Sequence, residues 1–186
     1  MISVSKNPGP SAWNDLLPKR EPLPSLSGNL KSDWLIVGAG FAGLSAARRV
    51  QQEAPNDRIV ILDARGLASG PAGRNSGFMI DLPHDLASDD YGGQIENDRE
   101  AIMQNRYAIN FAKETVEALK LPRECFKEIG KINGAATAKG MRHNHDYAKH
   151  LSKLGEKYEY LDANSMKDIT GTNYYKGGLF TPGTVM

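Results

Sequence analysis

Residues 33–43 read Asp33-Trp34-Leu35-Ile36-Val37-Gly38-Ala39-Gly40-Phe41-Ala42-Gly43. Four consecutive apolar residues ending in glycine predict a short central parallel strand, buried on both faces. Beyond the glycines, Leu44, Ala46, Ala47 and Val50 recur at helical spacing, and the pattern ends over residues 53–56. Arg58-Ile59-Val60-Ile61-Leu62-Asp63 then predicts a second buried strand, closing a βαβ unit of just over thirty residues. The fold class expected is α/β.

Gly38, Gly40 and Gly43 match GxGxxG directly after a strand and directly opening a helix, the context in which the motif has physical meaning. Gly38 permits the tight turn, Gly40 lets the backbone approach a pyrophosphate, and Gly43 allows helix to pack closely on strand. The helix N-terminus offers unpaired N–H groups and a positive dipole to the phosphates. Asp63 follows Gly43 by twenty residues, at the carboxyl end of the second strand, where a carboxylate accepts bonds from ribose hydroxyls and repels a 2′-phosphate. NADP is therefore disfavoured, and FAD and NAD both stay open at this point. A glycine turn in an α/β protein can also bind nothing; strand, helix and acid in register argue against that.

The surrounding composition narrows the class further. A chain of 186 residues corresponds to about 1.2 domains. With 40% hydrophobic and 24% charged residues it is expected to be globular and soluble. Lys plus Arg number 23 against 22 Asp plus Glu, so no broad positive field favours nucleic acid or an anionic membrane. No apolar run reaches the length needed to span a bilayer. The single cysteine, Cys125, suits a reducing compartment, so a cytoplasmic location is expected.

Residues 1–31 carry Pro8, Pro10, Pro18, Pro22 and Pro24 and are expected to form an irregular arm, with Trp13, Leu16 and Leu17 as the residues able to pin it down. Residues 64–93 read as a glycine-rich loop. A long helix is expected over 97–120, with Asn97 and Glu100 as a capping box, Ile102, Ile109, Ala112, Val116 and Leu119 as its apolar stripe, and Pro122 as its stop. Met103, Tyr107 and Phe111 are read as core. A strand over 131–139, a helix over 141–154, a strand over 158–161, a helix over 163–169 and a strand from Gly177 follow, with another strand start at Thr184-Val185-Met186.

Residues 33–43 followed by Asp63-Ala64-Arg65-Gly66-Leu67-Ala68-Ser69-Gly70-Pro71-Ala72-Gly73-Arg74-Asn75-Ser76-Gly77 resemble the D-amino-acid oxidase, glycine oxidase and sarcosine oxidase superfamily of FAD-dependent oxidoreductases. The resemblance is to its bacterial branch with a GRNSG-type loop, and runs from Asp33 to Met186. It implies a Rossmann-like, GR2-type FAD-binding domain over 32–130 and the beginning of an α+β substrate domain over 131–186. By that resemblance, residues Gly38, Ala39, Gly40, Phe41, Ala42 and Gly43 meet the pyrophosphate and Asp63 the adenosine ribose. Ala64 and Arg65 lie near the adenine end, and Ser69, Arg74, Asn75, Ser76 and Gly77 line the path to the flavin. The sequence departs from the family pattern at Ala68, where glycine is common, at Pro71, and at Ala72, where a hydroxyl is common. The loop holds no histidine, so noncovalent FAD is expected.

The activity implied is oxidation of an amine or amino acid by hydride transfer to the flavin. The alternatives are an NAD-dependent Rossmann dehydrogenase and a noncatalytic dinucleotide-binding fragment. The family's C-terminal half has no counterpart here, so a second polypeptide completing the fold, and hence a hetero-oligomer, is expected. No acid or base can be named. Arg74 is the candidate to stabilise charge on reduced flavin, and Tyr174 and Tyr175 are candidates to face the substrate. His84 is read as a loop residue and Cys125 as half-buried and structural. His143, His145 and His150 are read as solvated, because their spacing matches no metal motif.

Overall fold

The computed structural model describes residues 9, 11–19, 21, 23–83 and 95–186. They form two compact units, Met1–Ser76 and Gly77–Met186.

The first unit begins with a single helical turn, α1 (Ala12–Asp15), whose N-cap Ser11 accepts a hydrogen bond from the Asn14 N–H. Then come β1 (Trp34–Val37), α2 (Phe41–Glu53) and β2 (Ile59–Leu62). The strands pair in parallel with Trp34 opposite Ile59 and Val37 opposite Leu62, the geometry a βαβ crossover produces. Asp33 accepts the Arg58 N–H at 2.8 Å, and the Trp34 indole donates to Asp57 at 2.8 Å, so the entry to β2 is tied to β1 at its first residues. A short 3₁₀ turn, Pro71–Gly73, interrupts the loop that follows.

Burial in this sheet differs from expectation. Leu35 is 58% and Val37 81% exposed, although an unbroken apolar run predicts burial on both faces. The reason is architectural: among the described residues β2 is the sole strand paired with β1, and α2 is the helix that packs on this pair.

The second unit carries its own core. It runs α3 (Ile95–Ala118), β3 (Lys131–Ala135), α4 (Ala138–Leu154), β4 (Glu159–Asp162), α5 (Ala163–Thr170) and β5 (Gly177–Thr181). β5 lies between β3 and β4, antiparallel to both, and the core gathers Leu82, Ile102, Tyr147, Ala148, Leu151 and Leu179. Both ends of α4 and of α5 show the expected chemistry. Thr137 caps α4 by accepting from Gly140, Asp162 caps α5 by accepting from Ser165, and Gly155 and Gly171 close the two helices in the left-handed conformation. The compact units thus divide earlier than the functional boundary expected at Lys131, because α3 packs against α4.

The strand start expected at the C-terminal end is a pair of isolated bridges, Val185 with Met79 and with Glu128. Helix α3 starts at Ile95, so Asn97 and Glu100 lie inside it and do not form its capping box. Its apolar stripe is only partly buried, with Ile102 in the core and Leu119 exposed, and Met103 and Tyr107, expected in the core, are exposed as well, because α4 is the helix it meets and covers one face. His150 is buried, with Nε2 2.7 Å from Asp98, and is not the solvated helix residue expected. Cys125 is exposed at the end of a 3₁₀ turn, Arg123–Cys125, not half-buried. Leu16 and Leu17 are exposed and bury nothing in the arm.

Candidate functional site

The glycine turn of the first unit is built as its sequence demands. Gly38 has φ +102°, a conformation that glycine alone adopts at little cost, and its N–H donates to the Leu62 carbonyl at 2.6 Å. A Cβ on Gly43 would lie 1.9 Å from the Gly38 carbonyl oxygen and 3.3 Å from Ile36, so the helix can sit this close to β1 only with glycine there. Gly40 is different. Its φ of −84° is open to any residue, and a Cβ there would meet nothing closer than Ala72 at 4.0 Å. The space over Gly40 is unfilled by the protein itself. As N-cap of α2, Gly40 has no side chain to satisfy the first N–H groups of the helix.

Asp63 faces the same turn. Its carboxylate accepts the Ala39 N–H at 2.8 Å on Oδ2 and the Arg65 N–H at 2.9 Å on Oδ1. These backbone bonds, Ala39 first and then Arg65, hold the carboxyl below its ordinary range, so it is ionised at neutral pH. Each oxygen keeps acceptor capacity beyond the bond it makes, which is what a pair of ribose hydroxyls requires. An anion-receptive helix N-terminus, an open position over Gly40 and an ionised carboxylate fit the ADP portion of a dinucleotide.

Beyond Asp63 the loop folds on itself through local bonds. Ser69 N–H donates to Gly66, Gly73 N–H to Gly70 and Arg74 N–H to Pro71, at 3.2, 3.1 and 3.0 Å. Ala68, where the family commonly has glycine, adopts φ +57°, the left-handed region that glycine enters freely. Gly73 is packed so tightly on Ala68 that a Cβ would lie 1.9 Å from the Ala68 oxygen. Arg74 donates from Nε to Ser69 at 3.2 Å and from Nη2 to the Gly9 carbonyl, and Asn75 donates to Ala72 at 2.6 Å. Arg65, Ser69, Arg74, Asn75 and Ser76 therefore share the first unit with the glycine turn, and Gly77, at φ +82°, opens the second.

The sequence profile of the FAD dependent oxidoreductase family matches residues 33–186. The chain belongs to that family. Among curated proteins it is 24% identical to the probable oxidoreductase OrdL of Rhizobium meliloti, over 96% of this chain and 41% of that protein. It is 26% identical to the gamma-glutamylputrescine oxidoreductase of Escherichia coli, over 87% of this chain and 37% of that protein. Among solved structures, glycine oxidase from Geobacillus kaustophilus superposes with a TM-score of 0.60 at 18% identity, over 83% of this chain and 40% of that one. L-amino acid deaminase from Proteus myxofaciens superposes at 0.63 with 14% identity, over 88% and 35%. The fold is thus the α/β fold of the family, and the chain spans about two fifths of the length of these relatives.

Other residues singled out in the sequence fall elsewhere. His84 lies outside the described residues. His145 pairs through Nδ1 with the Tyr160 hydroxyl at 3.0 Å on the surface of the second unit. Tyr174 is exposed and stands edge-on to Tyr175, whose ring packs over Gly134. Among the described residues no cluster of three or more His, Cys, Asp or Glu side chains is arranged to hold a metal. No helix among them is long and apolar enough to cross a membrane.

A polar constellation that sequence reasoning missed lies just after the loop. Asp81 is fully buried and accepts from Arg106 Nη2 at 2.9 Å and Nε at 3.2 Å; the same guanidinium reaches Glu156 at 2.6 Å. The two carboxylates raise the Arg106 pKa, Glu156 contributing most. A Cβ on Gly183 would lie 1.9 Å from Asp81 Oδ2, so the carboxylate is seated directly on that glycine. Met79 and Val185 exchange two backbone bonds of 2.9 and 3.0 Å, and the Tyr147 hydroxyl donates to Pro83 at 3.1 Å. An open groove of about 520 Å³ borders Asp81, Arg106 and Glu156, with Lys113 and Glu128 paired at its rim. A lone aspartate in Met79-Ile80-Asp81-Leu82 gives no periodic signal, which is why only the structure reveals it.

Proposed function

We propose that this chain forms the FAD-binding part of a flavin-dependent oxidase or dehydrogenase that acts on an amine or an amino acid. The observation that carries the reading is the open position over Gly40 at a helix N-terminus beside an ionised Asp63. In this reading residues 38–43 hold the pyrophosphate, Asp63 the adenosine ribose, and Ala64 and Arg65 flank the adenine end. Ser69, Arg74, Asn75, Ser76 and Gly77 line the way to the flavin. When bound, FAD supplies the acceptor for a hydride from the carbon bearing the amine. The protein residues bind and orient it: the helix N–H groups neutralise phosphate charge, and Asp63 fixes the ribose through acceptor-only contacts that also discriminate against a 2′-phosphate.

FAD is held noncovalently in this proposal, because residues 63–77 contain no histidine or cysteine. Acid precipitation should release all the flavin into the supernatant. Further strands complete the first sheet, which the exposed Leu35 and Val37 and the two-fifths coverage of relatives support, and in this proposal a second polypeptide supplies them. Residues 131–186 begin the substrate domain, and a cytoplasmic setting follows the single exposed thiol. The test is anaerobic mixing of the FAD-loaded assembly with a panel of amines and amino acids while flavin absorbance is followed. Bleaching with one class identifies the substrate; no bleaching by any of them, with FAD bound, overturns the catalytic reading in favour of a noncatalytic dinucleotide module.

A further inference from the structure

We propose that the N-terminal arm is a strap that positions the flavin loop, with Trp13 and Asn14 as its positioning residues. The proposal rests on reading residues 64–77 as part of the FAD site. Among the described residues, three long-range hydrogen bonds join the arm to that loop. Trp13 Nε1 donates to the Asn75 carbonyl at 2.8 Å, Asn14 Nδ2 donates to the Ala68 carbonyl at 3.4 Å, and Arg74 Nη2 donates to the Gly9 carbonyl. Ser11, between them, is buried, and it caps the turn that presents Trp13 and Asn14 side by side. Trp13 is 41% exposed, so its ring is no core residue; the indole N–H is the part the fold uses.

The loop gains from such a hold because, among the described residues, its backbone bonds at Gly66, Gly70 and Pro71 close local turns and no strand pairs with it. A segment with only local bonds opens at small free-energy cost. The strap acts at the two carbonyls where orientation matters. Ala68 is a non-glycine residue in the left-handed region, and its carbonyl is clasped between Gly73 and Asn14. At Asn75 the consequence is directional. The peptide between Asn75 and Ser76 is planar and trans, so its C=O and N–H point in opposite directions. By holding the Asn75 carbonyl, Trp13 turns the Ser76 N–H toward the face of the loop away from the arm. That N–H is then a fixed donor for the cofactor, and the Gly9 carbonyl helps hold the Arg74 guanidinium in place on the loop.

Trp13→Phe keeps the ring and removes the donor, and Asn14→Ala removes the second. In the apo chain, amide exchange over residues 68–76 should accelerate about tenfold in the double variant, the equivalent of losing one or two net hydrogen bonds. Exchange in Lys131–Ala135 should not change. FAD affinity should fall by about tenfold, with an altered visible circular dichroism of the bound flavin. Wild-type exchange in the variant, acceleration spread equally into β3, or tighter FAD binding would each overturn the strap. If the assembly that contains the wild-type chain takes up no FAD, the cofactor reading fails, and the exchange comparison still decides the strap.

Discussion

Among the described residues the two sheets differ in composition and in surroundings, and the more apolar one is the less buried. Trp34-Leu35-Ile36-Val37 has no polar residue, yet Val37 is 81% exposed; Gly177-Gly178-Leu179-Phe180-Thr181 contains two glycines, yet Leu179 is fully buried. Burial is decided by neighbours. β5 has a strand on each side and α4 and α5 packed on it, whereas β1 has β2 and one helix. The second unit places its apolar residues in its own core, and the first holds its glycine turn together mainly by backbone geometry: Gly38, Gly43 and Asp63.

The largest effect that tests this contrast is a pair of truncations. Leu179→Ala should destabilise the second unit by about 3 kcal/mol, while Leu35→Ala should stay within about 0.5 kcal/mol; urea unfolding of both variants measures the difference. Equal losses would mean that Leu35 is as well packed as Leu179 and would break the comparison. Next, Asp81→Ala should cost about 2 kcal/mol, since it leaves Arg106 with Glu156 alone and empties the seat on Gly183. Gly183→Ala should fail in a similar way by driving a Cβ into the carboxylate. Gly43→Ala should cost about 1 to 2 kcal/mol through the clash with the Gly38 carbonyl, confined to the first unit.

The smallest effect is a pH dependence. Asp63 has a folded pKa below its ordinary 3.8, so the stabilisation from its carboxylate is complete above that value and is lost as pH falls through the lowered one. Thermal unfolding of Asp63→Asn should therefore fall slightly below wild type at neutral pH, and the gap should close in acid. A gap that persists undiminished at the lowest pH would show that the two backbone bonds do not depend on ionisation.

Much of the first unit was legible from residues alone. Strand, glycine turn, helix and second strand occur where the apolar runs and glycines put them, because each is specified locally, and Asp63 meets Ala39 because the end of β2 lies beside the turn. The exposure of Leu35 was not legible, since an apolar run reports what a strand can be buried against and not whether that neighbour is there. Nor was Asp81, whose meaning depends on Arg106 and Gly183, far away in sequence. Trp13 was visible as a residue able to pin the arm. That its indole donates to the Asn75 carbonyl required coordinates. His150 misled for the same reason, because its burial comes from α3 and Asp98 and not from its own helix.

The central claim is that the space over Gly40 belongs to a cofactor, and Gly40→Ala tests it most directly. The fold has room for that methyl, with nothing nearer than 4.0 Å and an ordinary backbone φ, so unfolding should change by about 1 kcal/mol or less. Titration with FAD, followed by flavin fluorescence, should then show binding to the assembly that contains the wild-type chain and at least about a tenfold loss in the one that contains the variant, the size expected when a close backbone–phosphate approach is blocked. Equal FAD affinity in the two proteins, with both folded, would contradict the account.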